Sequence, residues 1–297
     1  MILAARPTFR FAPTPNGALH LGHAYSALMN ERLAAEAGGR LLLRIEDTDV
    51  ARCKPEFETA LREDLDWLGL RFCDEPRRQS EHIDDYARVL AALEARGLVY
   101  PCYCGRAEIA RVAGGLRDPD GAPLHRGRCV AVAAPEAARR AAAGERPALR
   151  LDLSRALAEL AGPLTWREFG EAGLERIVEA EPEAWGDVVL RGRDRPANYH
   201  LAVVVDDALQ QVSDVVRGRD LYLSTAVHRL LQAALGLPEP RYRHHRLALD
   251  AKGDKMSKSA LSSPLRALRE ADYSAAELRA ALGSGASGAG RLIVRLS

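Results

Sequence analysis

The chain is poor in aromatic residues, which make up 5% of it, and neither sign of charge dominates: 42 Lys and Arg stand against 41 Asp and Glu, a formal net charge of +1. That balance excludes a protein coated in base to hold nucleic acid over its whole surface; contact with phosphates has to come from a local patch. No apolar run approaches the roughly 20 residues of a membrane span. The opening MILAARPTFR is too short in apolar residues for a signal peptide, so a cytoplasmic location is expected. Cysteine is sparse and odd in number, at positions 53, 73, 102, 104 and 129. Without a secretion signal this argues against a disulfide framework, and the spacing is read for metal first. What remains, 47% hydrophobic and 28% charged over 297 residues, is the balance of a folded protein with one large domain or two ordinary ones.

Pro7 to Phe11 reads as a short strand. Leu21 to Ala37 reads as a helix, with Leu21, Tyr25, Leu28 and Leu33 near helical spacing and Gly38-Gly39 as its stop. Arg40 to Ile45 is a second buried strand. Helices follow over Pro55 to Leu68, opened by its proline, and over Glu81 to Ala95, closed by Gly97. After a cysteine- and Gly/Pro-rich middle with a short strand at Ala148 to Leu153, strands are expected at Asp187 to Leu190, His200 to Val205 and Arg246 to Leu249. An amphipathic helix is expected at Ser224 to Leu235. This alternation predicts an α/β fold with a parallel sheet and an inserted module. The divisions are 1–100 and 187–260 for the two halves of the sheet domain, 101–186 for the insertion, 261–282 for a helical segment and 283–297 for a flexible tail, on the composition GSGASGAG.

Two stretches carry charge chemistry. FAPTPNGALHLGH, residues 11 to 23, ends a strand in a proline-pinned turn and enters a helix, whose first turn attracts anions. His20 and His23 share a face there, and Gly22 leaves room for a flat ligand; by itself the stretch fits two surface histidines equally well. Lys255-Met256-Ser257-Lys258-Ser259 offers two lysines on a Ser-rich loop, suited to charge that grows during reaction, although an isolated run of this kind is more often a solvated basic loop.

Together, HLGH at 20 to 23 and KMSKS at 255 to 259 resemble the paired signatures of class I aminoacyl-tRNA synthetases. The resemblance implies a Rossmann-type sheet with ATP phosphates between them, bound by His20, Gly22, His23 and Lys258, with His20, His23, Lys255 and Lys258 as catalytic residues and Mg²⁺ accompanying ATP. Phe9 to Gly17, Arg44 to Asp49 (RIEDTD) and Val216 to Leu221 (VRGRDL) are similar to the glutamate and glutamine branch of the class. This implies L-glutamate surrounded by Arg10, Ala12, Thr14, Glu46, Tyr199 and Arg217. The chemistry agrees: a glutamate side chain calls for guanidinium, Glu46 can hold the α-ammonium, and the positive Arg217 argues for glutamate over glutamine.

Cys102, Cys104 and Cys129 with His125 form a complete tetrahedral zinc set, and the loop Val112 to Arg128 is too poor in apolar residues to fold without a clip. Reduced loop cysteines are the alternative. Zinc-bearing relatives often carry Tyr where His125 stands, and the resemblance implies a structural zinc in an acceptor-binding-like module. Cys53 and Cys73 are read as packing residues. The basic run Arg241 to Arg246 either touches RNA phosphates or forms a solvated strand edge.

Only 38 residues follow Ser259, too few for the anticodon-binding portion of full-length glutamate enzymes. The resemblance, over residues 6 to 280, is therefore to the short members of the branch. It implies glutamate activation without tRNA, then transfer to the queuosine base at the wobble position of tRNA(Asp), by a monomer. The alternatives are charging of a tRNA 3′ end, a nucleotidyltransferase with a small acceptor, and a non-catalytic synthetase-like RNA-binding protein; the retained histidines, lysines and arginines speak against the last two.

Overall fold

The computed structural model describes residues 6–127, 132–170, 174–249, 264–283 and 295–296. The chain runs through β1 (Thr8–Phe11), α1 (Leu21–Glu36), β2 (Arg40–Ile45), α2 (Pro55–Trp67) and β3 (Arg77–Arg78). Next come α3 (Ile83–Ala95), β4 (Val99–Cys102), α4 (Arg106–Val112), α5 (Ala134–Ala142), β5 (Ala148–Leu151) and α6 (Leu153–Ala158). The strands β6 (Thr165–Phe169), β7 (Glu175–Glu179) and β8 (Val189–Arg191) lead to α7 (Tyr199–Leu209), β9 (Asp214–Gly218) and α8 (Ser224–Leu235). The last elements are β10 (Arg241–His245), β11 (Ala248–Leu249), α9 (Leu265–Glu270), α10 (Ala275–Gly283) and β12 (Arg295–Leu296). Among the described residues no helix is long and apolar enough to cross a membrane.

Two compact units result: residues 1–81, 211–222 and 240–297 form one, and residues 82–210 and 223–239 the other. The units divide the chain elsewhere than at 100 and 186. The reason lies in packing: Tyr86, Leu90 and Leu93 of α3 share a core with α7 and α8, which draws both flanks of the middle segment into the second unit.

In the first unit the strands lie in the order β3-β2-β1-β9-β10, all parallel. Their composition fits: β1 is buried at all four residues and β2 at five of six, as expected for strands covered on both faces. Gly39 lets the chain turn back tightly, since a Cβ there would meet the Pro7 carbonyl oxygen at 2.5 Å. The helix α1 packs on β1, β2 and β9 through Leu21, Ala24, Ala27, Met29, Asn30 and Ala34. Tyr25, Leu28 and Leu33 are only half-buried: alanines, which permit close approach to the sheet, make up half of the inner face.

The second unit holds an antiparallel sheet β4-β5-β8 and the hairpin β6-β7. Its core gathers residues of α3, α7 and α8. His200 to Val205 is not a strand but most of α7. Leu201 to Asp207 are all buried, so the helical period vanishes and a valine-rich run looks like a strand. Three further expectations are corrected. Cys73 is exposed rather than packed. The basic run is not a solvated edge: β10 pairs along its length with β9, burying Tyr242, Arg243 and His245, while Arg246 beyond it is exposed. The tail does not stay loose to its end, because Arg295–Leu296 pairs antiparallel with Ala248–Leu249; residues 284–294 lie outside the described residues.

One buried charge stands out in the first unit. Asp64 on α2 is 1% exposed, its carboxylate oxygens have no hydrogen-bond partner among the described residues, and Arg269 Nη1 of α9 approaches to 3.8 Å. Burial, only partly offset by Arg269, pushes its carboxyl from 3.8 up to about 6. The stability linked to this group is therefore full below its unfolded value and is lost as pH rises through 6. Asp64→Asn is expected to gain about 2–3 kcal/mol over the parent at pH 8 and nothing at pH 4, read from denaturant unfolding at the two pH values.

Candidate active site

Because the first unit's strands are parallel, their carboxyl ends share one edge. The order changes direction at β1, which has β2 on one side and β9 on the other; in open parallel sheets this is where ligands bind. Arg10 lies near the end of β1, Glu46 directly follows β2, and Arg217 is the penultimate residue of β9. The Glu46 N–H donates to the Pro13 carbonyl at 3.1 Å, and the Lys54 N–H to that of Pro15 at 3.4 Å. Ala12 and Thr14, both half-buried, thus lie in a loop tied to the segment after β2.

The two histidines build the start of α1. His20 is its N-cap: His20 Nδ1 accepts from the Gly22 N–H at 3.1 Å, and His23 Nδ1 accepts from the His20 N–H at 3.2 Å. The rings lie 3.9 Å apart between centroids. With both Nδ1 atoms accepting, each neutral ring carries its proton on Nε2 and presents a donor there. The expected cluster of free first-turn amides is not what results. The Gly22 N–H is taken by His20 and the His23 N–H by the His20 carbonyl at 2.9 Å. Nor is the space at Gly22 open, since a Cβ would meet the His20 ring at 3.0 Å. Donors for an anion here are imidazoles rather than bare backbone.

Arg10 is 4% exposed and donates through Nη1 to the Val216 carbonyl at 3.4 Å. Arg217, 5% exposed, places its guanidinium 5.5 Å over the Tyr242 ring and donates from Nε to His244 Nε2 at 3.3 Å. Glu46 is held by Arg44, which is completely buried and reaches Oε1 from Nη2 at 3.2 Å and from Nε at 3.4 Å. Arg44 and His244, which hold Glu46 and Arg217 in place, are contacts that reading the sequence missed. The alternation in RIEDTD points to Arg44, since a charge inside an apolar strand must have a partner. Asp47, by contrast, is occupied locally, accepting from Ser80 N–H at 2.8 Å and from Ser80 Oγ at 2.7 Å. Tyr199 is the first residue of α7, in the second unit.

Lys255 and Lys258 lie outside the described residues. The chain re-enters them at Pro264, bridged to His20, with the Leu265 N–H donating to the Leu19 carbonyl at 2.8 Å. Pro264, the first described residue after KMSKS, therefore lies against the first signature.

In the second unit Cys102, Cys104 and His125 bring their donor atoms within 4.8 Å of one another, all buried. Cys102 Sγ and His125 Nε2 are 3.5 Å apart, close to the ~3.5 Å that zinc bonds to sulfur and nitrogen at a tetrahedral angle would impose. Burial pushes the Cys102 thiol up, but its contact with His125, a hydrogen bond with the Cys104 backbone and the charge of Arg150 together bring it down to about 6. Burial also disfavours the charged form of His125, and its contacts with Asp187 and Cys102 outweigh this and raise its pKa. A thiol poised to ionise beside an imidazole suits a divalent metal. Cys129 lies outside the described residues. The preceding loop is better organised than its composition implies: Asp118 Oδ1 accepts from the N–H groups of Asp120 and Ala122, and Arg117 bridges Pro123.

The family model for the catalytic domain of class I tRNA synthetases (E and Q) matches residues 8–287. A glutamyl-Q tRNA(Asp) synthetase of Rhodobacter capsulatus is 41% identical over 286 residues, covering 92% of this chain and 99% of the relative. A glutamate–tRNA ligase 2 of Syntrophus aciditrophicus is 37% identical over 90% of this chain, which spans 54% of that relative's length. The crystal structure of a glutamate tRNA ligase from Elizabethkingia meningosepticum in complex with its amino acid superposes with a TM-score of 0.75 at 25% identity, covering 96% of this chain and 62% of that one. Matched over most of its length and carrying His20 and His23 at the start of α1 on a Rossmann-like, mainly parallel sheet, the chain belongs to the class I tRNA synthetases of the glutamate and glutamine type.

Proposed function

We propose that this ATP-dependent ligase activates L-glutamate without tRNA and transfers it to the queuosine base at the wobble position of tRNA(Asp). The observation that carries the reading is the likeness to a relative named for that reaction, at 41% identity over 99% of that relative's length. Full-length glutamate–tRNA ligases are similar over about half of their length, so charging of a tRNA 3′ end is the competing reading.

In the proposed first step the α-carboxylate of glutamate attacks the α-phosphorus of ATP in line, giving glutamyl-adenylate and pyrophosphate. Arg10 and Arg217 take the side-chain carboxylate, Glu46 takes the α-ammonium, Ala12 and Thr14 line the loop beside them, and Tyr199 is the further glutamate-binding residue that the family resemblance implies. His20 and His23 donate from Nε2 to the phosphates, Gly22 lies beside them, and Lys255 and Lys258 meet the charge that develops, with Mg²⁺ accompanying ATP. In the second step a hydroxyl of queuosine's cyclopentenediol attacks the acyl carbonyl and AMP leaves. Cys102, Cys104, His125 and Cys129 would hold a zinc ion whose contribution is a structural clip. The protein is read as a cytoplasmic monomer.

Arg217→Ala is expected to lower glutamate-dependent ATP–pyrophosphate exchange by ~100-fold or more while ATP still binds, as loss of one partner of a buried charge pair costs several kcal/mol. Near-normal exchange would sink the assignment of this residue. His23→Ala removes both a phosphate donor and half of the helix cap; exchange should fall at least ~10-fold, and unfolding should show a loss of ~1 kcal/mol. Radiolabelled glutamate offered with tRNA(Asp) bearing queuosine, tRNA(Asp) lacking it and tRNA(Glu) should label the first alone. Labelling of tRNA(Glu) at its 3′ end would instead select the competing reading.

A further inference from the structure

His125 is held from the side opposite Cys102. The Tyr100 hydroxyl lies 2.6 Å from Asp187 Oδ2, 3.1 Å from the Gly127 carbonyl oxygen and 3.3 Å from His125 Nδ1. Asp187 accepts at both oxygens from the backbone as well, from the Gly127 N–H at 2.7 Å and the Leu153 N–H at 3.1 Å. Tyr100, His125 and Asp187 are each under 5% exposed. A carboxylate and a carbonyl can only accept, so the single hydroxyl proton of Tyr100 points to one of them, and towards His125 the hydroxyl offers a lone pair. In the neutral ring Nδ1 is then the protonated nitrogen. The Nε2 lone pair faces Cys102 Sγ, 3.5 Å away.

We propose that Tyr100, anchored by Asp187, is a positioning residue that fixes His125 with its proton on Nδ1 and thereby makes Nε2 the metal donor of the Cys102–Cys104–His125 cluster. The proposal rests on the reading that this cluster holds a metal ion. The backbone builds the same seat. Gly186 has φ 60°, a Cβ on it would meet the His125 carbonyl oxygen at 2.2 Å, and the Asp187 N–H donates to that oxygen at 2.7 Å. Ring and main chain of His125 are thus both held by residues 186–187 and Tyr100, while an unsupported neutral imidazole in water prefers its proton on Nε2, the wrong nitrogen for this cluster. Hydrogen-bond partners of this kind orient histidine ligands and raise their basicity.

The test uses the full chain and zinc affinity measured against a chromophoric chelator. Tyr100→Phe, which keeps the ring in the core, is expected to weaken zinc binding by ~10–100-fold with the far-ultraviolet spectrum unchanged. The imidazole ¹⁵N spectrum of the zinc-loaded parent should show His125 protonated at Nδ1 and metal-bound at Nε2. In a His125→Tyr background the donor has no second nitrogen, so adding Tyr100→Phe should change affinity by less than about twofold. Asp187→Asn should weaken binding as well, and Tyr100→Phe keeps the test decisive if that variant disturbs Leu153 and Gly127. Parental zinc affinity in Tyr100→Phe, or an equal loss in both backgrounds, would overturn the proposal. A parent chain that takes up no zinc would overturn the metal reading itself, and the proposal with it.

Discussion

The placement of β1 between two parallel strands, β2 and β9, is the constraint on which the first unit's site depends. One neighbour follows almost at once in the chain. The other arrives so late that the bond from the Thr8 N–H to Ser213 Oγ joins residues 205 apart. Parallel pairing brings all three carboxyl ends to one edge, so Arg10, Glu46 and Arg217 occupy it without any loop having to carry them there. The first signature inherits its position from the same arrangement, since α1 starts directly beyond that edge and packs back on β1, β2 and β9.

Such an edge concentrates buried positive charge. Arg10, Arg44, Arg217 and Arg243 are all under 9% exposed, and a buried guanidinium without compensation costs several kcal/mol. Arg44 is compensated by Glu46, which is thereby oriented before any ligand arrives. Arg217 leans on the Tyr242 face and on His244, groups that steer its guanidinium. The proposed glutamate would bring its own carboxylate to this edge and its ammonium to Glu46, which fits the division of labour between the two kinds of support.

Much of the fold was legible because its signals are local. Pro55 at the first turn of α2, Gly236 in the left-handed conformation after α8 and the apolar RLLLRI of β2 mark elements found close to where they were expected. What escaped was set by tertiary context. The run HLAVVV became helix because α7 is surrounded on all sides, and the basic run became a buried strand because β9 was available beside it. The signature residues were legible as a pattern, but not the reciprocal capping of His20 and His23, nor Arg44 behind Glu46. Those depend on distances that no spacing encodes.

The seat of His125 also has a consequence in time. Asp187 lies 60 residues beyond Gly127 in the chain, yet it contacts both that residue and the histidine two positions before it. On a ribosome adding about 5–20 residues per second, roughly 3–12 seconds pass between the synthesis of the loop and the arrival of its support. For that interval Cys102 and Cys104 are made but their histidine neighbour is not yet held. The support of His125 is therefore the last part of this corner to be synthesised: the ring and its neighbour Gly127 gain their carboxylate partner only once residue 187 has been made.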